Sequence, residues 1–513
     1  MRKAWVLLCA VLGVWTSGAP ASAHGIWGHI HVTGWAVENM PEGELRSIFD
    51  EREVFEAALF GAAFPDSGYW PQGGELSSIG REYAEHSHWE PFVEAYIQWM
   101  IANDPPPFDT LESRMRVAFL MGVAAHGLQD ELFDSLYLYE IEIEDTSGQD
   151  DADPATDGFL AMDGLLRFQP ETYLPMDILL ELYADVDERI TEGIIRECVN
   201  IMRTFYVRPG GYRVAEGQAR ARIDRLPWTR ETYLDPNIPG TLRAEIWPTM
   251  HYMEAIWERL HGRWSDEALV IHTWPPSQGR LRDREPGTPR SWVTFVVGRG
   301  IENANATVTW RREDGSLLQF ARRGTRWGGD RGPSRLLRFQ PLEALASGEW
   351  TLVTLEPGAR LIDGASLAYA HSLEVQAPCD DPNDPLCPAI EPRAPAAMDS
   401  PIDFGGSDDP RVEDEPSPEQ DDDVRGDDVH DDDPREEDTS PGPEEEVVPG
   451  DDVIAPPPTA PPSSENKDEG CGGCQAAGGE APWSLSLALL LLMALAQRRA
   501  PWRARAAARS GLG

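Results

Sequence analysis

His126 and Asp130 lie four residues apart in the apolar run FLMGVAAHGLQDELFDSLYL, residues 119–138. In a helix, side chains at positions i and i+4 share one face, so the imidazole and the carboxylate would point the same way. Burying either group without a partner costs free energy. The spacing therefore indicates either a mutual hydrogen bond or a shared metal ion.

Three more clusters of metal-binding residue types precede this run. They are HGIWGHIH with His24, His29 and His31, FPDSGYW with Asp66, and EHSHWEPF with His86 and His88. Histidine nitrogens and carboxylate oxygens are common zinc ligands. A lone histidine in an apolar helix is more often a core residue, but the four clusters together favour a metal site. The helical region contains no G-x-S-x-G elbow, P-loop or C-x-x-C pair, so serine-hydrolase and nucleotide-binding functions lack support.

The motifs FGAAFPDSGYW, HSHWEPFVEAYI and VAFLMGVAAHGLQDELFDSL occur in this order along the chain. In order and spacing they resemble the zinc-dependent phospholipase C family, and within it the N-terminal catalytic domain of glycosylphosphatidylinositol-specific phospholipases D. The resemblance covers roughly residues 24–163. It implies an all-α domain that holds three zinc ions and hydrolyses phosphodiesters.

Carried over residue by residue, the resemblance implies two metal positions that share one carboxylate. The ligands of the first would be the amino terminus and carbonyl of His24, with His29 and Asp130. Those of the second would be Asp66, His88, His126 and Asp130. The side chains expected to wall the site are Tyr69, Trp70 and Trp89. His31 and His86 match no motif position, so packing or hydrogen bonding is their expected role.

The third metal position departs from the family pattern. The corresponding residues here are Asp134, Asp153 and Asp157, where relatives supply two histidines and an acid. Carboxylate ligands favour harder ions such as calcium, magnesium or manganese. The alternative is that this acidic stretch is solvated and the third site is lost. In the expected reaction two cations activate a water, and Asp66 orients or deprotonates it.

The chain changes character along its length. Residues 1–23 are predicted to be a secretory signal peptide, whose removal would make His24 the first residue. Residues 24–268 have helical periodicity, and residues 269–377 alternate as in a small β-sandwich. Within the latter, FQPLEALASGEWTLVTLEPGARLIDGASLAYAHSLEV resembles bacterial immunoglobulin-like domains. Cys379 and Cys387 flank the stretch DDPNDPL, which a disulfide could close.

Negative charge is concentrated C-terminal to these regions. The net charge is −44, and residues 401–470 contain 26 Asp and Glu against 4 Lys and Arg. Residues 378–469 are therefore expected to be a disordered, Pro-rich acidic linker. Such a chain would repel nucleic-acid phosphates over most of its surface, so nucleic acid is not the favoured partner.

Residues 470–513 begin with GCGGC, continue with WSLSLALLLLMALA and end in an Arg cluster. This order resembles the C-terminal sorting tag of myxobacterial surface proteins, which implies recognition by sorting machinery and retention at the cell surface. A short transmembrane helix is the alternative and gives the same topology.

Two functions of different class follow. The first is an exported, surface-attached, metal-dependent phosphodiesterase of the phospholipase C type. It would act at a membrane surface on phospholipid or lipid-anchored head groups, and a nuclease on the same scaffold is its variant. The second is a non-catalytic surface adhesion protein with a degraded metal site. Retention of all ligands at the first two positions favours the enzyme, because costly buried polar clusters usually mark function.

Overall fold

The computed structural model describes residues 25–204, 209–302, 307–324 and 333–381, together with Cys387, Ala394, residues 396–398 and Ile402. The predicted signal peptide, His24, most of the acidic linker and the C-terminal segment lie outside the described residues. The described residues belong to one compact unit. None of the helices in these ranges is long and apolar enough to cross a membrane. The apolar segment for which a transmembrane helix was the alternative, residues 483–496, is not among them.

The first part of the chain is helical. Its α-helices are α1 Ile26–Glu38, α2 Glu44–Ile48, α3 Arg52–Ala63, α4 Gly74–Ser87, α5 Glu90–Asn103, α6 Leu111–Leu132, α7 Leu138–Glu144, α8 Gln149–Met162, α9 Met176–Ala184, α10 Glu192–Met202, α11 Pro209–Arg220, α12 Pro227–Thr232 and α13 Ile246–Leu260. A 3₁₀ turn at Pro65–Tyr69 follows α3, and a π-helical turn at Phe133–Tyr137 follows α6.

Helix α6 is the central element of this part. The Thr110 hydroxyl caps its first turn by accepting a hydrogen bond from the Ser113 N–H at 3.0 Å. From Val117 to Leu132 every residue of the helix is buried. Gly122 lets α6 approach α3 closely, because a Cβ atom at this position would lie 2.0 Å from the Ala58 carbonyl oxygen. Backbone contact of this kind holds two metal-ligand motifs at a fixed separation.

The second part is a β-sandwich. Its strands are β1 Val270–Trp274, β2 Gly279–Arg280, β3 Val293–Ile301, β4 Val308–Arg312, β5 Phe320–Arg323, β6 Ser334–Pro341, β7 Trp350–Leu355 and β8 His371–Gln376. In the described ranges they form two sheets, with the orders β1-β3-β6-β5 and β2-β8-β7-β4. Pairing is antiparallel except between β2 and β8. Cys379 and Cys387, which follow β8, form a disulfide with Cα atoms 6.3 Å apart.

The two parts share buried surface. Strand β6 is buried along its whole length. Leu337 and Phe339 pack in the core between the sheets, whereas Leu336 and Val296 of the same sheet belong to the helical core. One sheet of the sandwich is thus covered by helices on its outer face.

The predicted order of a helical region followed by a sheet region is confirmed. The change falls between Leu260, the last residue of α13, and Val270, the first of β1. Strands β3, β4, β6, β7 and β8 coincide with the alternating segments. Strands β1, β2 and β5 were not predicted, because they are short or carry adjacent charges, as in FARR.

Candidate metal centre

Four elements bring five predicted ligand residues together. His29 lies on α1, Asp66 on the 3₁₀ turn, and His88 directly after α4. His126 and Asp130 lie one helical turn apart on α6. All five side chains are buried.

Asp130 is the common neighbour of the three imidazoles. Its Oδ1 lies 3.1 Å from His29 Nε2, and its Oδ2 lies 3.3 Å from His126 Nε2 and 3.5 Å from His88 Nε2. Asp66 Oδ1 lies 3.5 Å from His88 Nε2 and 3.8 Å from His126 Nε2. Two groups within the described residues could each hold a metal ion: His29, His126 and Asp130, and Asp66, His88 and His126.

Each imidazole is anchored through its other ring nitrogen. His126 Nδ1 lies 2.7 Å from the Ala62 carbonyl oxygen, and His88 Nδ1 lies 2.5 Å from that of Ala84. A carbonyl oxygen can only accept, so in both rings Nδ1 carries a proton and Nε2 is the nitrogen directed to the centre, where it binds a metal ion when deprotonated. His29 Nδ1 lies 2.9 Å from Gln129 Oε1. This is the arrangement by which proteins fix metal-binding histidines.

The donor set suits a divalent cation. His126 Nε2 and Asp130 Oδ1 are buried and make no hydrogen bond within the described part of the chain. Burying such groups without a hydrogen bond is costly, and a cation among imidazole nitrogens and carboxylate oxygens would compensate that cost. The residues therefore fit a bound metal ion.

The same proximity shifts the pKa values of these groups. Burial lowers the pKa of His88, but the hydrogen bond that His88 donates to Asp66 and the charge of Asp130 outweigh it and raise the value to about 9. Burial also opposes ionisation of Asp130, yet His126 and His29 hold the pKa of its carboxyl well below the usual range. Burial and the neighbouring His29 lower the pKa of His126. The centre thus keeps Asp130 ionised, ready to bind a cation.

Three further acids surround the centre. Burial and the charges of Asp134 and Asp130 raise the pKa of Asp153 well above its usual range. Burial and the same two carboxylates raise the pKa of Glu245, which precedes α13. Asp134 is buried and accepts a hydrogen bond from Gln149 Nε2 at 3.2 Å. These acids lie near the centre but belong to neither of the two groups that could hold a metal ion.

Glu245→Gln tests the cost of burying these acids together. Because its folded-state pKa is raised, Glu245 stabilises the fold fully below its unfolded pKa, near 4.5, and this contribution is lost as the pH rises through the folded-state value. We therefore expect metal-free Glu245→Gln to have a larger free energy of unfolding than the wild type at pH 7, and this difference to disappear as the pH falls below the unfolded-state pKa. Denaturant unfolding at several pH values measures this, with exposed Glu42→Gln as the control. An unchanged pH slope would contradict the expectation.

Asp157 lies at the start of α1. Its Oδ1 accepts from the Gly28 N–H at 2.7 Å and its Oδ2 from the Trp27 N–H at 3.2 Å. A carboxylate here satisfies N–H groups that lack partners within the helix. The structure thus gives Asp157 a helix-capping position, while its predicted role as a ligand is untested. His24, one residue before Gly25, lies outside the described residues.

His31 packs within the core. Its Nδ1 lies 2.8 Å from the Trp27 carbonyl oxygen, and its Nε2 accepts from the Arg167 N–H at 2.9 Å. Burial lowers the pKa of His31 to about 3, so the ring is neutral. It has no place among the metal-binding groups in the described ranges. The aromatic side chains Tyr69 and Trp89 lie beside His88, with ring centroids 5.5 and 6.3 Å from the imidazole.

Sequence reasoning missed the residues that support the ligands. Gln129 precedes Asp130 and reads as an ordinary polar residue of the helix. Glu245 lies more than a hundred residues from the ligand motifs. The one available signal was its position just before the amphipathic run IWPTMHYMEAIWERL, which places an acid at the start of a helix.

Comparison with known proteins gives partial matches. The chain is 27% identical to bovine (Bos taurus) phosphatidylinositol-glycan-specific phospholipase D over 198 residues, which is 35% of this chain and 23% of that protein. It is 25% identical to the mouse (Mus musculus) protein over 268 residues, covering 49% and 30% of the two chains. The Dictyostelium discoideum protein of the same name is 36% identical over 78 residues, covering 15% and 7%. The chain thus spans less than a third of the length of these relatives. No protein-family model matches it.

Solved structures give weak likenesses. CopC from Methylosinus trichosporium OB3b matches 22% of this chain and 95% of its own, with 15% identity and a TM-score of 0.17. The N-terminal part of the bacterial S-layer protein SbsC matches 63% and 79%, with 10% identity and a TM-score of 0.16. Neither likeness informs the fold at such scores.

Proposed function

We propose that this chain is an exported, metal-dependent phosphodiesterase of the phospholipase C type, which hydrolyses phospholipid or lipid-linked head groups. The buried His/Asp centre with three anchored imidazoles carries the proposal. The likeness to phosphatidylinositol-glycan-specific phospholipase D supports a lipid head-group hydrolase. In the proposal the helical part has the phospholipase C-like fold with zinc at the first two positions, and the sandwich is immunoglobulin-like.

The groups of the centre have separate roles in the proposed reaction. A bound divalent cation supplies charge to polarise the phosphodiester and to acidify a water. The Asp66 carboxylate stays ionised, because His88 and His126 outweigh the effect of burial and lower its pKa. It can therefore accept the proton that the attacking water loses. Tyr69 and Trp89 beside His88 exclude bulk water from this side of the centre.

The acids near the centre extend the proposal. Asp134 and Asp153, with Asp157 at the start of α1, would provide a third position that prefers calcium, magnesium or manganese to zinc. The acidic linker and the C-terminal tag would hold the enzyme at the cell surface, with the sorting machinery and the membrane surface as partners. Both parts of the proposal depend on residues that the first two metal positions do not use.

Metal analysis and product analysis test the function directly. The mature full chain, beginning at His24, should contain at least one equivalent of metal by elemental mass spectrometry and hydrolyse phosphatidylcholine or a glycosylphosphatidylinositol-anchored protein. Phospholipase C chemistry releases diacylglycerol, whereas phospholipase D chemistry releases phosphatidic acid. We expect Asp66→Asn to lower kcat at least about a hundredfold, within the usual contribution of a general base.

Three results would contradict the proposal. Turnover that survives a chelator and Asp66→Asn would remove the metal centre from the reaction. Bound metal without turnover on lipid, lipid-anchored protein or single-stranded nucleic acid would favour the non-catalytic surface protein. Turnover on nucleic acid alone would favour the nuclease variant.

A further inference from the structure

Two buried carboxylates lie next to ligand positions without being ligands. Glu131 directly follows Asp130, and Glu90 lies two residues after His88. Both side chains are turned toward the β-sandwich: the Gly300 N–H of β3 donates to Glu90 Oε1 at 3.0 Å, and the Arg335 N–H of β6 donates to Glu131 Oε2 at 3.1 Å. Helix α6 and the segment that directly follows His88 therefore each have a direct contact with a strand.

Arg335 connects these elements through its side chain. This guanidinium is fully buried. Its Nη2 donates to Glu131 Oε1 at 3.2 Å and to the carbonyl oxygen of the ligand residue His88 at 3.3 Å. Its Nη1 donates to the Ala124 carbonyl oxygen of α6 at 3.3 Å. One side chain of the sandwich thus ties His88 to the helix that carries His126 and Asp130.

The packing around Arg335 leaves little freedom. A Cβ atom on Gly127 would lie 2.1 Å from the His88 carbonyl oxygen and 2.9 Å from Arg335 Nη2. Tyr252 also packs near the arginine. Its hydroxyl donates to Glu90 Oε2 at 2.6 Å, and its ring lies 5.7 Å from the guanidinium carbon of Arg335. Buried charges held in a fixed network lose much of their compensation when one member is removed.

We propose that Arg335 is a positioning residue of the metal centre: by fixing the His88 carbonyl and Glu131, it makes the β-sandwich part of the metal site. The inference rests on the proposed metal centre. It also means that the helical part alone would bind metal weakly, because β6 supplies the hydrogen bonds that hold His88 and α6 in their relative positions. Residues that orient metal ligands typically change metal affinity by ten- to a hundredfold when replaced.

Arg338 of the same strand gives a matched control. Its side chain is also buried, and it donates to the Ser135 carbonyl oxygen beyond the end of α6. Its guanidinium carbon lies 4.8 Å from the Trp292 ring. It crosses the same interface as Arg335, but it donates to Ser135 where Arg335 donates to His88 and Glu131. Replacement of either arginine should destabilise the chain, but only replacement of Arg335 should disturb the metal centre.

The experiment compares Arg335→Met, Arg335→Lys and Arg338→Met in the mature full chain. Zinc and cobalt affinities are measured by competition with a chelating dye, and the visible absorption bands of bound cobalt report ligand geometry. We expect Arg335→Met to lower affinity ten- to a hundredfold and to alter the cobalt bands, with a smaller loss for Arg335→Lys. Arg338→Met should change affinity less than threefold, although its thermal stability should also fall.

The outcomes distinguish failure of the proposed function from failure of the inference about Arg335. A wild-type chain without metal affinity would overturn the proposed function and the inference with it. Wild-type affinity together with equal effects of the two Met substitutions would overturn the inference alone. If Arg335→Met does not fold, Arg335→Lys and Glu131→Gln decide, because the first keeps the charge and the second keeps the side-chain shape, and both should still weaken metal binding at least several-fold. Unchanged affinity in those two variants would overturn the inference.

Discussion

Asp130→Asn is expected to abolish metal binding at both positions, lowering metal content below half an equivalent and turnover at least a hundredfold. Asp130 approaches the Nε2 atoms of His29, His126 and His88 at 3.1, 3.3 and 3.5 Å. The amide keeps the shape of the side chain but removes the charge and places a donor against imidazole nitrogens that need a cation. Elemental mass spectrometry and hydrolysis assays on the same preparation measure both effects.

Asp145→Asn is the control for this substitution. The Asp145 carboxylate accepts hydrogen bonds from the N–H groups of Trp228 and Thr229 at 3.0 and 2.9 Å, at the start of α12. Its replacement should lower the free energy of unfolding by about 1 kcal/mol, as for a lost helix cap, and leave metal content unchanged. Wild-type metal content in Asp130→Asn would show that Asp130 does not bridge the two positions.

Gly127→Ala is expected to cost both stability and metal affinity. The added Cβ atom would lie 2.1 Å from the His88 carbonyl oxygen, so the backbone of a ligand residue has to move. Insertion of a methyl group into a packed interior typically costs about 1–3 kcal/mol. Because His88 moves with its carbonyl, we also expect at least a tenfold loss of metal affinity. Denaturant unfolding and dye competition measure the two effects separately.

Gly298→Ala provides the comparison. This glycine lies in β3, where an added Cβ atom would lie 2.6 Å from the Trp264 ring and 2.8 Å from the Ala255 Cβ atom, away from any ligand residue. It should destabilise the chain to a similar extent and leave metal affinity within about threefold of wild type. Equal losses of affinity in the two variants would mean that the centre responds to general destabilisation rather than to the position of His88.

Local patterns were sufficient to predict much of the fold. Helix α6 follows from its apolar run, and β3 and β7 follow from the short β-branched and aromatic runs VTFVV and WTLVTL. The ligand residues could be named because the histidines and acids occur in short motifs whose spacing a helix translates into one face.

The sequence could not predict contacts between distant segments. Nothing in SRLLRFQP indicates that the arginine at 335 ends up fully buried beside Glu131. An arginine in an alternating strand normally reads as solvent-facing, and only the tertiary packing supplies the buried acid that makes its burial tolerable. Similarly, the acids Asp153 and Asp157 read alike, yet Asp157 binds the N–H groups of α1 and Asp153 faces the centre.

Two ligand histidines are anchored where helices end. Ala62 lies in the last turn of α3 and Ala84 in the last turn of α4. The last four carbonyls of a helix lack partners within it and lie at the negative end of the helix dipole. By bonding to these carbonyls, His126 and His88 gain basicity at Nε2 without an acidic partner. The lengths of α3 and α4 are therefore part of the site, since one residue more or less would rotate the anchoring carbonyl away from its imidazole.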